Sequence, residues 1–307
     1  RIHEASGEES LMKRDSFTEL HPAVTGLYFA VVIGITMCVP EPWLLAVSFV
    51  SAAAYLLRLK GRRGGRIILL GVLPAAIAAA LINAAFNHEG ATILCYLPDG
   101  NPLTLESVLY GLNASVMLAA AALWFGCVTA VMTSEKIVCI FGKVLPSLGL
   151  LISMMLRFLP RFTEMLRETG EARRGLGIAD EDRKGGKTAK VRDAVGNMSA
   201  VLGRALENSA DTADSMRARG WGLPGRGSFY PKRFTERDRG AAAFIVFCGF
   251  SVVSGALAGG FGFRFYPTIK ASERGPLTVF FLVMFAALGF MPTVLGAKKT
   301  TAEEKND

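Results

Sequence analysis

Histidine and cysteine are scarce and scattered. The 307 residues hold three His and five Cys. His3, His21 and His88 stand far apart, and Cys38, Cys95, Cys127, Cys139 and Cys248 form no C-x-x-C pair. A zinc site needs clustered nitrogen and sulfur ligands, and a thiolate nucleophile needs a neighbouring base. Neither chemistry is indicated, and four of the five cysteines lie in apolar stretches, where they read as small packing residues. A phosphate-cradling loop is lacking too. No G-x-x-x-x-G-K-[ST] occurs, and Arg62-Arg63-Gly64-Gly65 has neither the Lys nor the preceding strand. Any ATP that works on this chain is therefore bound by another one. The third gap is positional: residues 87–104 contain no Lys or Arg.

What is present is apolar, with 51% hydrophobic residues against 20% charged and a positive mean hydropathy. Such a chain must segregate its charges. Six segments, 24–39, 43–58, 67–86, 106–132, 241–260 and 276–296, are apolar over lengths near the roughly 20 residues that cross a bilayer. The first two share Val39-Pro40-Glu41-Pro42, which predicts a tight helical hairpin. Ala52-Ala53-Ala54, Ala119 to Ala122 and Gly255 to Gly260 give the segments small residues that let helix backbones approach closely. Ordinary bundle packing explains them, and a face that slides on a second membrane protein is the alternative.

Lys and Arg are retained on the cytoplasmic side of membranes. With six spans and a cytoplasmic N-terminus, 31 of the 34 basic residues fall on that side: three before the first span, five in Arg58 to Arg66, twenty in 133–240 and three after the last span. Both termini are expected to be cytoplasmic. The net charge of +8 is then a topology signal with some attraction to anionic headgroups of the lipid bilayer, and no nucleic acid is implied. Arg1–Thr18 is expected to be a solvated, mobile lead-in without a cleavable leader, and the tail 297–307 is expected to be equally solvated. The chain divides into a lead (1–20), four spans (21–132), a cytoplasmic segment (133–240), two more spans (241–296) and the tail.

The cytoplasmic segment carries the most information. Ile137 to Phe141 and Leu148 to Leu156 are apolar but broken by Gly142, Pro146 and Gly149, which suggests a helix at the membrane boundary. From Arg157 the pattern becomes an amphipathic helix that Pro160 should start or kink, with Phe158, Phe162, Met165, Thr169 and Ala172 at helical spacing. It is expected to end at Arg173-Arg174-Gly175, cations at the carbonyl end of the dipole and Gly as the left-handed cap. Ile178 to Lys190 reads as a polar linker. A second helix is expected from about Val191 to Arg219, its stripe running Val191, Val195, Met198, Leu202, Ala205, Leu206, Ser209, Ala213 and Met216. It too stops at Arg-Gly, in Ala218-Arg219-Gly220. An Arg fork at a helix end suits bidentate bonding to an acidic groove, and an amphipathic helix laid in a groove is a common recognition mode. The other reading of each Arg-Gly is a helix stop and nothing more.

At these residues the chain resembles the transmembrane T component of energy-coupling-factor (ECF) transporters, the prokaryotic vitamin and metal importers. In that family two long cytoplasmic coupling helices each end in Ala-Arg-Gly. Ala218-Arg219-Gly220 matches the second signature fully. At the first, Arg173 stands where Ala is expected or the motif carries an extra Arg, so either Arg173 or Arg174 is the contact. Arg157-Phe158-Leu159-Pro160 is similar to the family's Arg-x-x-Pro, and His21-Pro22 to its Asp/His-Pro. The resemblance implies an all-α protein of about six transmembrane helices, multi-pass in a prokaryotic cell membrane, with two coupling helices between spans four and five. It implies a scaffold without catalytic residues or cofactor, joining two ABC-type ATPase subunits, identical or different, to a substrate-binding membrane S component for uptake of a vitamin, micronutrient or metal ion. Arg173, Arg174, Gly175, Ala218, Arg219 and Gly220 would form the ATPase-coupling motif. Arg157, Pro160, Phe162, Met165, Val195, Met198, Leu202, Leu206 and Met216 would pack the coupling helices.

Two other classes compete. A membrane transferase acting on a diphosphate through Mg²⁺ would need clustered carboxylates, and Asn208, Asp211 and Asp214 do share a helix face. Arg217 lies within helix-pair reach of Asp214, with Arg219 two residues further on, and Asp180-Glu181-Asp182 is the sole second cluster. A conventional ABC permease would show one coupling loop and polar residues along its spans, which here are nearly free of ionisable groups.

Overall fold

The computed structural model describes residues 16–87, 89–96, 102–133, 136–137, 139–140, 146–177, 186–221, 223, 234–266 and 275–303. They fall into two compact units, one from Arg1–Thr133 with Lys232–Asp307 and one from Ser134–Pro231. The first is a bundle of apolar helices. Four of its helices are long and apolar enough to cross a membrane, by length and composition: Pro42–Phe86, Leu105–Val131, Glu236–Leu257 and Pro276–Gly296; Pro22–Cys38 is a shorter apolar helix. The protein is an all-α membrane protein, with one small sheet among the described residues.

Helix α1, Pro22–Cys38, starts on Pro, and the Nδ1 of His21 accepts the Ala23 N–H at 3.2 Å. It stops where Val39 precedes Pro40, since a residue before Pro avoids the helical region. After a three-residue connection α2 begins, again on Pro, and spans Pro42–Ile67. That helix is folded: Gly61 has φ 50° and ψ −128°, and a Cβ on Gly64 would lie 2.8 Å from the carbonyl oxygen of Leu56. Eight residues of straight helix rise about 12 Å, so the chain turns back at Gly61. It then runs through a π turn, Ile68–Val72, into α3, Leu73–Phe86. Pro74 offers no N–H and crowds the carbonyl one turn before it, and a widened turn relieves that clash.

Thr104 caps α4, Leu105–Val131, by accepting the Ser107 N–H. Ahead of it lies a correction to the all-helical expectation. Ile93–Tyr96 (β1) and Pro102–Thr104 (β2) pair antiparallel, with a bulge between Ile93 and Cys95. Glu106 holds this hairpin to the helix, accepting the N–H of Thr92 at 3.1 Å and its Oγ1 at 2.7 Å.

The last two helices of this unit, here α7 (Glu236–Leu257) and α8 (Pro276–Glu303), follow α5 (Pro146–Gly175) and α6 (Gly186–Ala218) of the second unit. Asp238, the third residue of α7, accepts the N–H and Oγ1 of Thr235 at 2.9 and 2.6 Å and, on its other oxygen, the backbone N–H of His21 at 2.8 Å. The start of α7 is thus tied to the start of α1. Between the helices an aromatic cluster of Phe17, Tyr28, Phe29, Tyr55 and Trp124 packs edge to face. Its polar atoms are satisfied: Trp124 Nε1 donates to Ser48 Oγ at 3.0 Å, Ser48 meets Thr36 Oγ1 at 2.8 Å, and the Tyr28 hydroxyl donates to the Gly289 carbonyl. Glycines bring the helices together: Gly249 sits on Val31, Gly255 on Phe281 and Gly289 on Ser51, as expected of packing by small residues.

Two expectations are corrected. Phe17, assigned to a solvated lead-in, is fully buried in the aromatic cluster; the rest of that lead, through residue 15, lies outside the described residues. Of the cysteines expected to pack, Cys38 and Cys95 are exposed, while Cys127 and Cys248 of this unit and Cys139 of the second are buried. The tail is helical as far as Glu303.

The second unit consists of α5, Pro146–Gly175, and α6, Gly186–Ala218. Pro160 neither starts nor ends α5 but lies inside it. It is exposed, so the Leu156 carbonyl that it deprives of a partner is not trapped in a core. Helix α6 begins five residues before the expected Val191, turning Gly186 to Lys190 from linker into helix. The remainder of that linker, Ile178 to Gly185, with Asp180-Glu181-Asp182 and Lys184, lies outside the described residues, as do His3, His88 and Pro224 to Arg233.

Candidate coupling surface

Helices α5 and α6 meet through small and polar side chains. Asn197 Nδ2 donates to the Leu166 carbonyl at 3.0 Å, Met165 and Val201 are the buried apolar pair, and a Cβ on Gly170 would touch Asn197. Arg173 is drawn into this crossing. Its guanidinium lies on Gly196, where a Cβ would come within 2.7 Å of Nη2, and its Nε is buried without a hydrogen-bond partner. Arg174, one residue on, is exposed.

The two Arg-Gly ends are not built alike. At the end of α6, Gly220 N–H donates to the Arg217 carbonyl at 2.9 Å and Trp221 N–H to the Met216 carbonyl at 3.0 Å, with Gly220 at φ 76°. That pair of bonds is a Schellman cap, and Arg219 is its last residue before the left-handed glycine. At the end of α5, Leu176 N–H donates to Ala172 and Gly177 N–H to Arg174, and Gly177, at φ 68°, is the left-handed residue. Gly175, expected to be the cap, is still helical, and a Cβ there would have nothing within 4 Å. The left-handed cap therefore lies two residues past the Arg-Gly of the first helix, whereas the second helix caps on its own Arg-Gly.

Of the residues expected to pack the coupling helices, Met165 is buried and Phe162 and Met216 are half-buried. Arg157, Pro160, Val195, Met198, Leu202 and Leu206 are exposed. The seam instead uses Gly196, Asn197 and Val201, one step round the helix from the large apolar side chains. Val201, 1% exposed, was missed because the expected stripe runs through its neighbour Leu202 and meets this row only at Ala205. Its signal was the period-four run Asn197, Val201, Ala205. Val191, Val195, Met198, Leu202 and Leu206 are left as an exposed apolar stripe on α6, and Leu151, Met155, Phe158 and Leu159 are exposed on α5.

Charge around the ends is partly paired on the surface. Arg167 meets Glu171 at 3.7 Å and Arg217 meets Asp214 at 3.7 Å, all four side chains largely exposed, so each pair contributes little stability. Arg219 has no ion pair among the described residues and is exposed. Asp214 is thus engaged as a helix pair, and no group of three His, Cys, Asp or Glu that could hold a metal ion occurs among the described residues. The arrangement offers no reacting group; it offers two exposed arginines at helix ends beside exposed apolar faces.

A family model described as cobalt transport protein (CbiQ) matches residues 14–229, well over half of the chain, including α1 to α6 and both Arg-Gly ends. A comparison with curated proteins gave no match.

Proposed function

Because the chain belongs to the cobalt transport protein (CbiQ) family, a family of membrane components of cobalt and ECF-type transporters that work with ATPase subunits, we propose that it is the T component of an ECF-type importer. It would join two cytoplasmic ABC-type ATPase subunits to a substrate-binding membrane S component and carry no catalytic residue of its own. The observation that carries this reading is the pair of exposed arginines, Arg174 and Arg219, at the ends of two helices whose largest apolar side chains face outward. Arg173 is occupied by the α5–α6 crossing, which favours Arg174 as the contact at the first end.

The fold-back at Gly61 supports six membrane crossings: α1, the two halves of Pro42–Phe86, α4, α7 and α8. Arg58, Lys60, Arg62, Arg63 and Arg66 cluster at that bend, so retention of basic residues would place it, both termini and α5–α6 in the cytoplasm of a prokaryotic cell. The substrate class is a metal ion, following the family, with a vitamin or other micronutrient as the wider class that S components serve.

The test is co-purification and uptake. In the Arg174→Ala/Arg219→Ala double variant, inserted at normal levels, ATPase subunits should be lost from the purified complex and uptake abolished. If stoichiometric ATPase is retained and transport is normal, both Arg-Gly ends are helix stops and the assignment falls. An extracytoplasmic binding protein in place of a membrane S partner would mark a conventional ABC permease instead.

A further inference from the structure

One end of the membrane bundle holds a cavity of about 610 Å³, within the size range of small-molecule sites. The N-terminal halves of α2, α4 and α8 and the segment Phe261–Phe265 after α7 line it. Its wall is apolar and aromatic, with Trp43, Leu112, Phe263, Phe265 and Val279 among the lining residues. It carries one charge, the carboxylate of Glu41, and no Lys or Arg.

Glu41 is 7% exposed and has no ion pair among the described residues. Its carboxylate accepts the backbone N–H of Phe263, and burial raises its pKa above the ordinary carboxylate value. A carboxylate in an apolar site is costly until a cation reaches it. None of the described residues supplies one, and a cation from outside would complete the site. The site also states what else that partner must be. Trp43, Leu112 and Val279, each more than half exposed, leave the cavity open sideways, on the apolar flank of the helices where acyl chains would lie, so the visitor needs an apolar body. The aromatic wall adds attraction for a positive head.

We propose that this cavity is a lipid site that takes the ammonium head of an ethanolamine-type phospholipid at Glu41 and an acyl chain along the wall formed by Trp43, Leu112 and Val279. A primary ammonium donates hydrogen bonds to the carboxylate at short range, and the tail covers apolar surface that no other part of the described chain covers. The site draws on the membrane unit alone, and so stands or falls separately from the coupling role of α5 and α6.

Native mass spectrometry of the full chain, released from nanodiscs of equal phosphatidylethanolamine and phosphatidylglycerol, tests it. Retained lipid should favour phosphatidylethanolamine by about tenfold, the effect of one charge-assisted contact. Glu41→Gln should abolish that preference while some lipid is still retained, and Ala46→Trp, which fills the cavity and leaves Glu41 in place, should remove the lipid itself. Equal retention of the two lipids by the unaltered protein would overturn the proposal whatever the variants do. So would an unchanged preference in Glu41→Gln. If Glu41→Gln keeps the lipid preference but loses a co-purifying membrane protein, the cavity is a protein interface and the lipid reading is wrong.

Discussion

The ends of α5 and α6 are spelled alike and folded differently. At Arg219-Gly220 the glycine itself makes the left-handed turn and the arginine is the last residue before it. At Arg174-Gly175 the helix continues, and Gly177 makes the turn. The difference is not one of spacing, since Gly175-Leu176-Gly177 and Gly220-Trp221-Gly222 are both Gly-x-Gly. The first helix caps on the second of its two glycines, Gly177, and the second helix on the first of its own, Gly220. After Arg219 the chain instead stops at Gly220, where Trp221 N–H reaches back to Met216. An Arg-Gly dipeptide therefore does not by itself fix where an arginine projects.

The comparison can be broken from several sides. The largest effect is expected where the ends have the same job: each arginine truncated to Ala leaves an acidic partner unpaired, at about 2–5 kcal/mol per site. Arg174→Ala and Arg219→Ala should each weaken ATPase association measured by titration, Lys should restore only part because the bidentate fork is lost, and thermal unfolding should hardly move. Equal loss for Arg173→Ala and Arg174→Ala would show that the crossing does not reserve Arg173.

Next in size is Gly196→Val. It places methyl groups where the Arg173 guanidinium lies, so either the arginine or the crossing must shift, at about 1–3 kcal/mol. Loss of helix-pair stability by denaturation, alongside easier chemical modification of Arg173, is the expected pair of readouts. Gly220→Ala should cost about 1–2 kcal/mol, since an L residue is strained at that φ and its Cβ would press on Leu223 at 3.2 Å. Smallest is Gly175→Ala. In an open helical position it should be neutral or stabilise by up to about 1 kcal/mol. If Gly175→Ala harms folding as much as Gly220→Ala, the two ends are equivalent after all.

Much of the membrane unit was legible because apolar length is written plainly: the expected segments fall within a few residues of Pro22–Cys38, Leu105–Val131, Glu236–Leu257 and Pro276–Gly296. The β-hairpin was not legible, because its strands are three and four residues long and are held by Glu106 and Thr92 side chains, not by pattern. Pro160 left two readings open, a helix start or a kink within the helix, because proline's cost depends on whether the deprived carbonyl is buried, which sequence does not state; α5 runs through it. At the coupling surface, helix periodicity located both helices and their arginines. The seam between them escaped because a two-helix unit buries what fits closely, Gly196 and Asn197, and leaves Leu202 and Leu206 outside. Which Arg of the first end is exposed depended on that seam.

The bond from the His21 N–H to Asp238 joins residues 217 positions apart, and the Tyr28 hydroxyl reaches Gly289 still farther along. At typical synthesis rates of about 5–20 residues per second, α1 waits on the order of 10–40 s for α7 after it leaves the ribosome. For that interval Val31 has no Gly249 to sit against and the His21 N–H has no Asp238. The early product can be only a partial bundle of α1 to α4, built round Phe17, Tyr55 and Trp124, held in store until the final hairpin arrives to close it. A chain released before Thr235 is left in that half-assembled form, open to membrane quality control although most of its sequence has been made.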